Sequence, residues 1–440
     1  MKSKLINGIQ IYAYRWVMLI ALMLLNIIVE IEWLTHAPVA RAAAVYYDGQ
    51  YLPDSFFNID FLAMSYMLIY LIASFPASYI IDTFGIKASL RLGAILAGSF
   101  AMLKGFYGDN FQVVMISQVG LAFAQPFALN AITAVTARWF PVWERGLATG
   151  LATLAQYLGI VIAMVVTPLM IQSSPELADY GAGFKSMLMI YGTITLIAAV
   201  FVFAFAKNNP PTPPGEQFER FQFAKGLKHI FAKRDMQIMI FIFFIGLGIF
   251  NAISSMVDAI AGNMGIKDSD GLIGGAMLIG GIIGAFIIPI LSDKYRKRKA
   301  FLVICMFGML PGLAGLVFAA QLTGGVGVNP DAAYQIALVS SFVLGFFIMS
   351  AGPVGFQYAA EVSSPAPEAA SQGLLLFAGQ LSGIFLVTGM SMKQSAYINE
   401  FLYFFVFISV FLLIAILRLK ESPMIITEED KVKGVKMANT

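Results

Sequence analysis

Twelve apolar segments, each about the length needed to cross a hydrocarbon layer, constrain this 440-residue chain more than anything else in it. They fall at 15–37, 60–81, 89–106, 112–138, 146–171, 184–206, 236–260, 270–292, 299–321, 333–361, 369–392 and 398–418. A bilayer core is roughly 30 Å deep and takes about 20 helical residues to span. Within it every backbone N–H and C=O must be satisfied by the segment itself, so these segments are expected to be helices. With 59% hydrophobic and 12% charged residues, the chain has more apolar surface than a soluble domain of about 45–50% apolar and 25% charged residues could hide. The predicted class is therefore an all-α membrane protein of twelve transmembrane helices. The first segment follows Lys2 and Lys4 like a signal peptide. Its apolar run, however, begins only near Trp16 and contains Glu30 and Glu32, which favours a retained membrane helix.

The one long polar stretch in the interior is Lys207–Asp235. It opens with Pro210, Pro211, Pro213 and Pro214, where fixed φ and missing donors exclude helix. It continues into 218–231, where apolar residues recur at helical spacing opposite lysines, as in a helix lying at a membrane surface. Six apolar segments precede this stretch and six follow it. The predicted organisation is a six-helix half over 1–206, a basic linker over 207–235, a second six-helix half over 236–419 and a polar tail over 420–440. If the loops alternate sides, 23 of the 28 Lys and Arg fall on the side of both termini. The positive-inside rule then puts both termini in the cytoplasm, and short loops suit a plasma (inner) membrane. The single Cys305 excludes a disulfide framework or thiolate cluster. No metal, cofactor, nucleic acid or catalytic group is expected, so an enzyme is not. The expected partners are the bilayer, a small-molecule substrate and possible coupling protons, with the chain read as a monomer.

The turn after the second segment reads Ser78-x-x-x-Asp82-Thr83-Phe84-Gly85-Ile86-Lys87, and the turn after the eighth reads Ser292-Asp293-Lys294-Tyr295-Arg296-Lys297-Arg298-Lys299. A helix ending in Asp before a basic turn thus recurs at equivalent places, an internal repeat. These turns resemble the loop motif of the major facilitator superfamily, as do Arg138-Trp139-Phe140 and Glu144-Arg145-Gly146 after the fourth segment. The resemblance implies two pseudo-symmetric six-helix halves around a cavity open alternately to each side. It also implies a conformational latch built from Asp82, Gly85, Lys87, Arg138, Arg145, Asp293 and Glu361.

A narrower set of residues follows: Asp60, Met64, Tyr66 and Tyr70, then Phe75-Pro76-Ala77, Gln118, Gln125, Gly345-Phe346-Phe347, Pro353-x-Gly355-Phe356, Ala360-Glu361-Val362, Pro365, Gly373-Leu374-Leu375 and Gln380. Together they resemble the feline leukaemia virus subgroup C receptor-related (FLVCR) family, from about Trp16 to Val387. That resemblance implies transport of choline or ethanolamine, with haem an older assignment. It also implies that Trp33 forms part of a cage around a quaternary ammonium, with Gln156 and Gln380 at the cavity. Asn251 stands where the family's second cage aromatic would be, and Phe250 is about 100° away on a helical wheel.

Independently of any resemblance, the first segment carries Glu30, Glu32, Trp33 and His36. A membrane-embedded acid costs roughly 2.5–3.5 kcal/mol on insertion scales and therefore faces a cavity or a partner. An indole beside a carboxylate suits an organic cation, and a carboxylate beside a histidine suits proton coupling. An interfacial position reached by water explains the same residues. Asn251, Ser254, Ser255 and Asp258 have helical spacing and are expected to form one stripe, with Asp258 either in the cavity or at a wet helix end. No Lys or Arg is expected mid-membrane, so the cavity should be acid-biased. Gly271, Gly274, Gly275, Gly280, Gly281 and Gly284 mark close helix packing. The expected activity is alternating-access transport of a small organic cation, with Trp33, Glu32, Gln156, Asn251 and Gln380 at the substrate. Glu30, Glu32, His36 and Asp258 are coupling candidates. The alternatives are proton-coupled export of drugs, haem or other amphiphiles, or a non-transporting receptor.

Overall fold

A computed structural model describes residues 3–6, 9–52, 55–172, 180–214, 223–266, 268, 271–366 and 368–422. The tail beyond residue 422, and the part of the expected amphipathic helix before residue 223, lie outside the described residues. Twelve helical spans are long and apolar enough to cross a membrane. Spans 1–6 are Tyr14–Tyr46, Ile59–Thr83, Ile86–Phe106, Phe111–Trp139, Leu147–Met170 and Phe184–Phe205. Spans 7–12 are Arg234–Ser255, Leu272–Ser292, Arg298–Val317, Pro330–Ser363, Ala370–Met392 and Ile398–Leu417. Six spans precede the linker and six follow it, as expected. Apolar side chains such as Ile72, Ile197, Leu169 and Phe407 point outward and are exposed, where a bilayer rather than water is their solvent.

Two spans break near corresponding ends, against the continuous helices expected. Span 1 is helical over Tyr14–Leu34, tightens to a 3-10 turn over Ala37–Val39, and resumes over Ala40–Tyr46. Pro38 accounts for the break, since it has no N–H to give the carbonyl four residues back and its ring crowds that carbonyl. Span 7 stops at Ser255, Met256 leaves helical geometry with φ −114° and ψ 15°, and a short helix follows over Val257–Asn263. At the opposite face, which carries both ends of the described chain, an antiparallel hairpin pairs β1 (Ser3–Ile6) with β2 (Ile9–Tyr12). The sequence reading assigned no structure there. The linker's first residues are also docked rather than free. Asn208 Oδ1 accepts from the Lys87 N–H at 2.8 Å, and its carbonyl accepts from Trp139 Nε1 at 3.2 Å. Phe223–Ala232 is helical and overlaps the amphipathic stretch expected over 218–231.

The glycine stripe of span 8 serves two neighbours. Near the face opposite the termini, Gly271 and Gly275 lie against Met164 and Val165 of span 5, in the other half. Deeper in the membrane, Gly280 and Gly284 lie on the backbones of Phe342 and Phe346 of span 10. Gly345 of span 10 returns the contact: a Cβ there would stand 1.6 Å from the Met277 carbonyl oxygen. Small residues let two membrane helices approach closely enough for backbone contact. Gly345→Ala is therefore expected to cost about 1–3 kcal/mol or more by overpacking, seen as a lower unfolding temperature in detergent. Gly150→Ala, which meets nothing within 4 Å, should leave that temperature unchanged.

Candidate functional site

A cavity lies between the halves and holds about 760 Å³ of space, including open solvent at its mouth. Four expected substrate residues line it: Trp33, Gln156, Asn251 and Gln380. Trp33 is buried, and its Nε1 donates to the Ala63 carbonyl of span 2 at 3.0 Å. That bond satisfies the polar edge of the indole and leaves its face for the cavity. Asn251 Nδ2 donates to Gln380 Oε1 at 3.0 Å, coupling spans 7 and 11. Gln156 makes no side-chain hydrogen bond among the described residues and is available to a ligand. Gln125, one of the residues that carry the family resemblance, also lines the cavity.

Phe250 lines the cavity too, contrary to the helical-wheel expectation. Phe243 and Phe356, with centroids 5.2 Å apart, line it from the same half, and Tyr157 of span 5 faces them from the other. The wheel compares positions on one axis, whereas the cavity wraps far enough around span 7 to meet Gly246, Leu247, Phe250 and Asn251 together.

Glu32 is not at the cavity. It is fully buried inside the first half, where it pairs with Lys104 of span 3, and Oε1 accepts from Thr195 Oγ1 of span 6 at 3.1 Å. Lys104 Nζ also donates to Gln118 Oε1 at 3.0 Å, and Gln118 Nε2 donates to the carbonyls of Glu32 and Trp33 at 2.9 and 3.3 Å. Lys104, counted among the loop cations, is fully buried inside the first half. It was read as a loop residue because it lies near the end of its segment. The available signal was Gly105 and Gly108, whose missing side chains let span 6 close over this turn.

The other coupling candidates also lie elsewhere. His36 stacks on Phe184 at 6.0 Å with the rings 8° from parallel, away from the cavity lining. Asp258 does not continue the stripe of Asn251, because Met256 interrupts the helix. It is buried and takes a two-pronged ion pair from Arg41, with Arg41 Nε 2.9 and 3.0 Å from its oxygens. That pair joins the short terminal helix of span 1 to that of span 7 and so ties the halves together. Glu30 is fully buried, with Gln125 Nε2 3.4 Å from its Oε1.

On the face carrying the termini, Gly85 has φ +89° and opens span 3, with the Lys87 amide held by Asn208. Glu361 accepts from Arg298 at 3.2 Å and from Ser422. Arg15 pairs with Glu144 at 2.9 Å. Both pairs stay within one half. Asp82 and Arg138 end spans 2 and 4 on this face. The side chains of Arg145 and Asp293 lie outside the described residues.

A family model described as Major Facilitator Superfamily matches residues 11–387. Solute carrier family 49 member A3 of Danio rerio is 28% identical over 383 residues, covering 84% of this chain and 77% of the relative. Choline/ethanolamine transporter FLVCR1 of Felis catus is 26% identical over 387 residues, covering 84% of this chain and 66% of its own length. The crystal structure of a D-xylose-proton symporter superposes with a TM-score of 0.67 at 14% identity, covering 92% of this chain and 98% of that one, a likeness of fold.

Two outcomes follow from these ion pairs. Lys104→Met strands a buried carboxylate and should cost about 3–5 kcal/mol, with much of the loss recovered when Glu32→Gln is added. Thermal unfolding of wild type and the two purified variants measures this. Asp258→Asn should loosen the tie between halves and speed, several-fold, maleimide labelling of Gln156→Cys in a Cys305→Ser background. An unchanged labelling rate would mean that the Arg41 pair does not hold the halves.

Proposed function

The chain belongs to the Major Facilitator Superfamily, and on that premise we propose that it carries a small organic cation of the choline or ethanolamine type through the cavity between its halves. The observation that carries this reading is the cavity lining itself. Five aromatic rings, Trp33, Tyr157, Phe243, Phe250 and Phe356, surround it with the amides of Gln125, Gln156, Asn251 and Gln380. No Lys, Arg, Asp or Glu is among the lining residues. Aromatic faces attract an alkylammonium group by about 0.5–2 kcal/mol each. Amide oxygens can accept from a hydroxyl or ammonium end, and an anionic substrate would find no cation to meet it. Names of relatives such as the choline/ethanolamine transporter FLVCR1 support the same class.

The cation is recognised without a lining carboxylate. Glu32 is spent on Lys104 and does not supply the charge. Alternation would proceed by rocking residues 1–206 against 236–419, joined by the 207–235 linker. The termini are assigned to the cytoplasm on the strength of the Lys and Arg bias. The latch residues Asp82, Gly85, Lys87, Arg138, Arg145, Asp293 and Glu361 would act at the cytoplasmic ends of the helices. A proton-driven exporter of larger amphiphiles draws support from Ile242, Leu247, Ile348 and Leu376 in the same lining.

Uptake of labelled choline and ethanolamine into proteoliposomes tests the assignment. Wild type should show saturable uptake. Trp33→Ala should raise KM by roughly 2–30-fold, the factor that corresponds to one cation–π contact. No saturable uptake of either amine by wild type would reject the cation class, and competition by bulky lipophilic cations alone would favour the exporter.

A further inference from the structure

Span 10 has a gap in its hydrogen-bond ladder where it lines the cavity. Pro353 lies inside this helix and has no N–H to give the carbonyl of Met349, four residues earlier. In a membrane, a carbonyl freed in this way takes a donor from a neighbouring helix. Here the donor comes from the other half: Tyr157 of span 5 donates its hydroxyl proton to the Met349 carbonyl at 3.1 Å. Gly352 makes room for that hydroxyl. A Cβ at 352 would stand 2.9 Å from the Tyr157 hydroxyl oxygen and 3.9 Å from Phe356 Cε2. Its two chain neighbours apart, it would meet no other described side chain within 4 Å. Tyr157, Met349, Gly352 and Phe356 all line the cavity. Together they form a notch in its wall, with glycine at the floor, the tyrosine hydroxyl on one side and the Phe356 ring on the other.

This notch offers acceptors. A hydroxyl has one proton and two lone pairs, and the Tyr157 proton is given to Met349. What the hydroxyl has left for a ligand is therefore oxygen, made a better acceptor by the bond it donates. An ammonium N–H can donate to that oxygen while its charge rests against the Phe356 ring. A fully alkylated ammonium suits the ring equally well but has no N–H. It would strip water from the tyrosine oxygen and leave it unpaired, which costs affinity. We propose that the Gly352 notch is the subsite for the charged end of the substrate, and that Tyr157 selects ammonium groups carrying at least one N–H over quaternary ones. The hydroxyl of Tyr157 is held in its selecting orientation by the carbonyl that Pro353 leaves free. This assignment rests on the cation reading of the cavity.

Binding calorimetry on the purified full-length protein tests this with ethanolamine, its N-methyl and N,N-dimethyl derivatives, and choline. The series keeps the hydroxyl and removes the ammonium N–H groups one at a time. Wild type is expected to lose more affinity at the last methylation, which removes the final N–H, than at either earlier one. Tyr157→Phe keeps the ring and deletes the acceptor. It should lower the preference for dimethylethanolamine over choline by roughly 10-fold, the factor that corresponds to one hydrogen bond from a charged donor. Gly352→Ala, which pushes the hydroxyl out of the notch, should lower the same ratio. A ratio unchanged in Tyr157→Phe, whether or not both affinities fall, would overturn the subsite and leave the cation reading standing. Wild-type affinities that change evenly along the series would do the same. Binding of none of the four amines would overturn the cation reading and the subsite with it. The wild-type series decides the matter even if both variants fail to fold.

Discussion

A charge carried into the hydrocarbon layer must be met inside the protein, and this chain's interior is arranged around that demand. Glu32 and Lys104 neutralise each other inside the first half, where neither is exposed. Breaking such a pair from one side is costly because the survivor cannot be rehydrated. The pair does more than cancel charge. Gln118 accepts from Lys104 and donates to the carbonyls of residues 32 and 33, where the approaching break in span 1 weakens the helix ladder. With the Trp33 indole anchored to Ala63, both backbone and side chain of the main cavity aromatic are fixed by groups outside the cavity. Trp33 can thus present a ring face without a charged neighbour competing for the ligand.

The breaks in spans 1 and 7 depend on the same economy of charge. Each first span of a half turns near the face opposite the termini, one at Pro38 and the other at Met256, and continues as a short helix. Arg41 and Asp258 lie on these two pieces. An unbroken span 7 would have carried Asp258 on the same stripe as Asn251, next to the cavity. The break moves the carboxylate sideways to Arg41 and keeps the cavity lining uncharged. The pseudo-symmetry of the fold therefore supplies two equivalent helix ends, and opposite charges make those ends complementary.

Much of this architecture was legible in the sequence. Span length, the central basic stretch and the charge bias each depend on local composition, and all three pointed to twelve helices in two groups of six. The lining positions of Trp33, Gln156, Asn251 and Gln380 came from resemblance rather than from periodicity. What could not be read was partnership across helices. Lys104 and Glu32 are far apart in sequence, and nothing local says that the lysine two residues from the end of span 3 turns inward. Arg41 was counted as a loop cation for the same reason. The docking of Asn208 on Gly85 and Trp139 is a tertiary contact made by a segment whose prolines spoke only of irregular backbone.

Asn251 shows how far a missing side chain can mislead. Replacing an aromatic by an amide removes one wall of a cage, and on a helical wheel no neighbour replaces it. In the folded chain Phe250 reaches the cavity beside Asn251, while Phe243 and Phe356 add ring surface from spans 7 and 10. Asn251 meanwhile binds Gln380 and fixes the amide opposite Trp33's half. Aromatic surface thus reaches the cavity from several helices rather than from position 251. Several ring faces spread around one cavity select by size and shape more than by one tight contact.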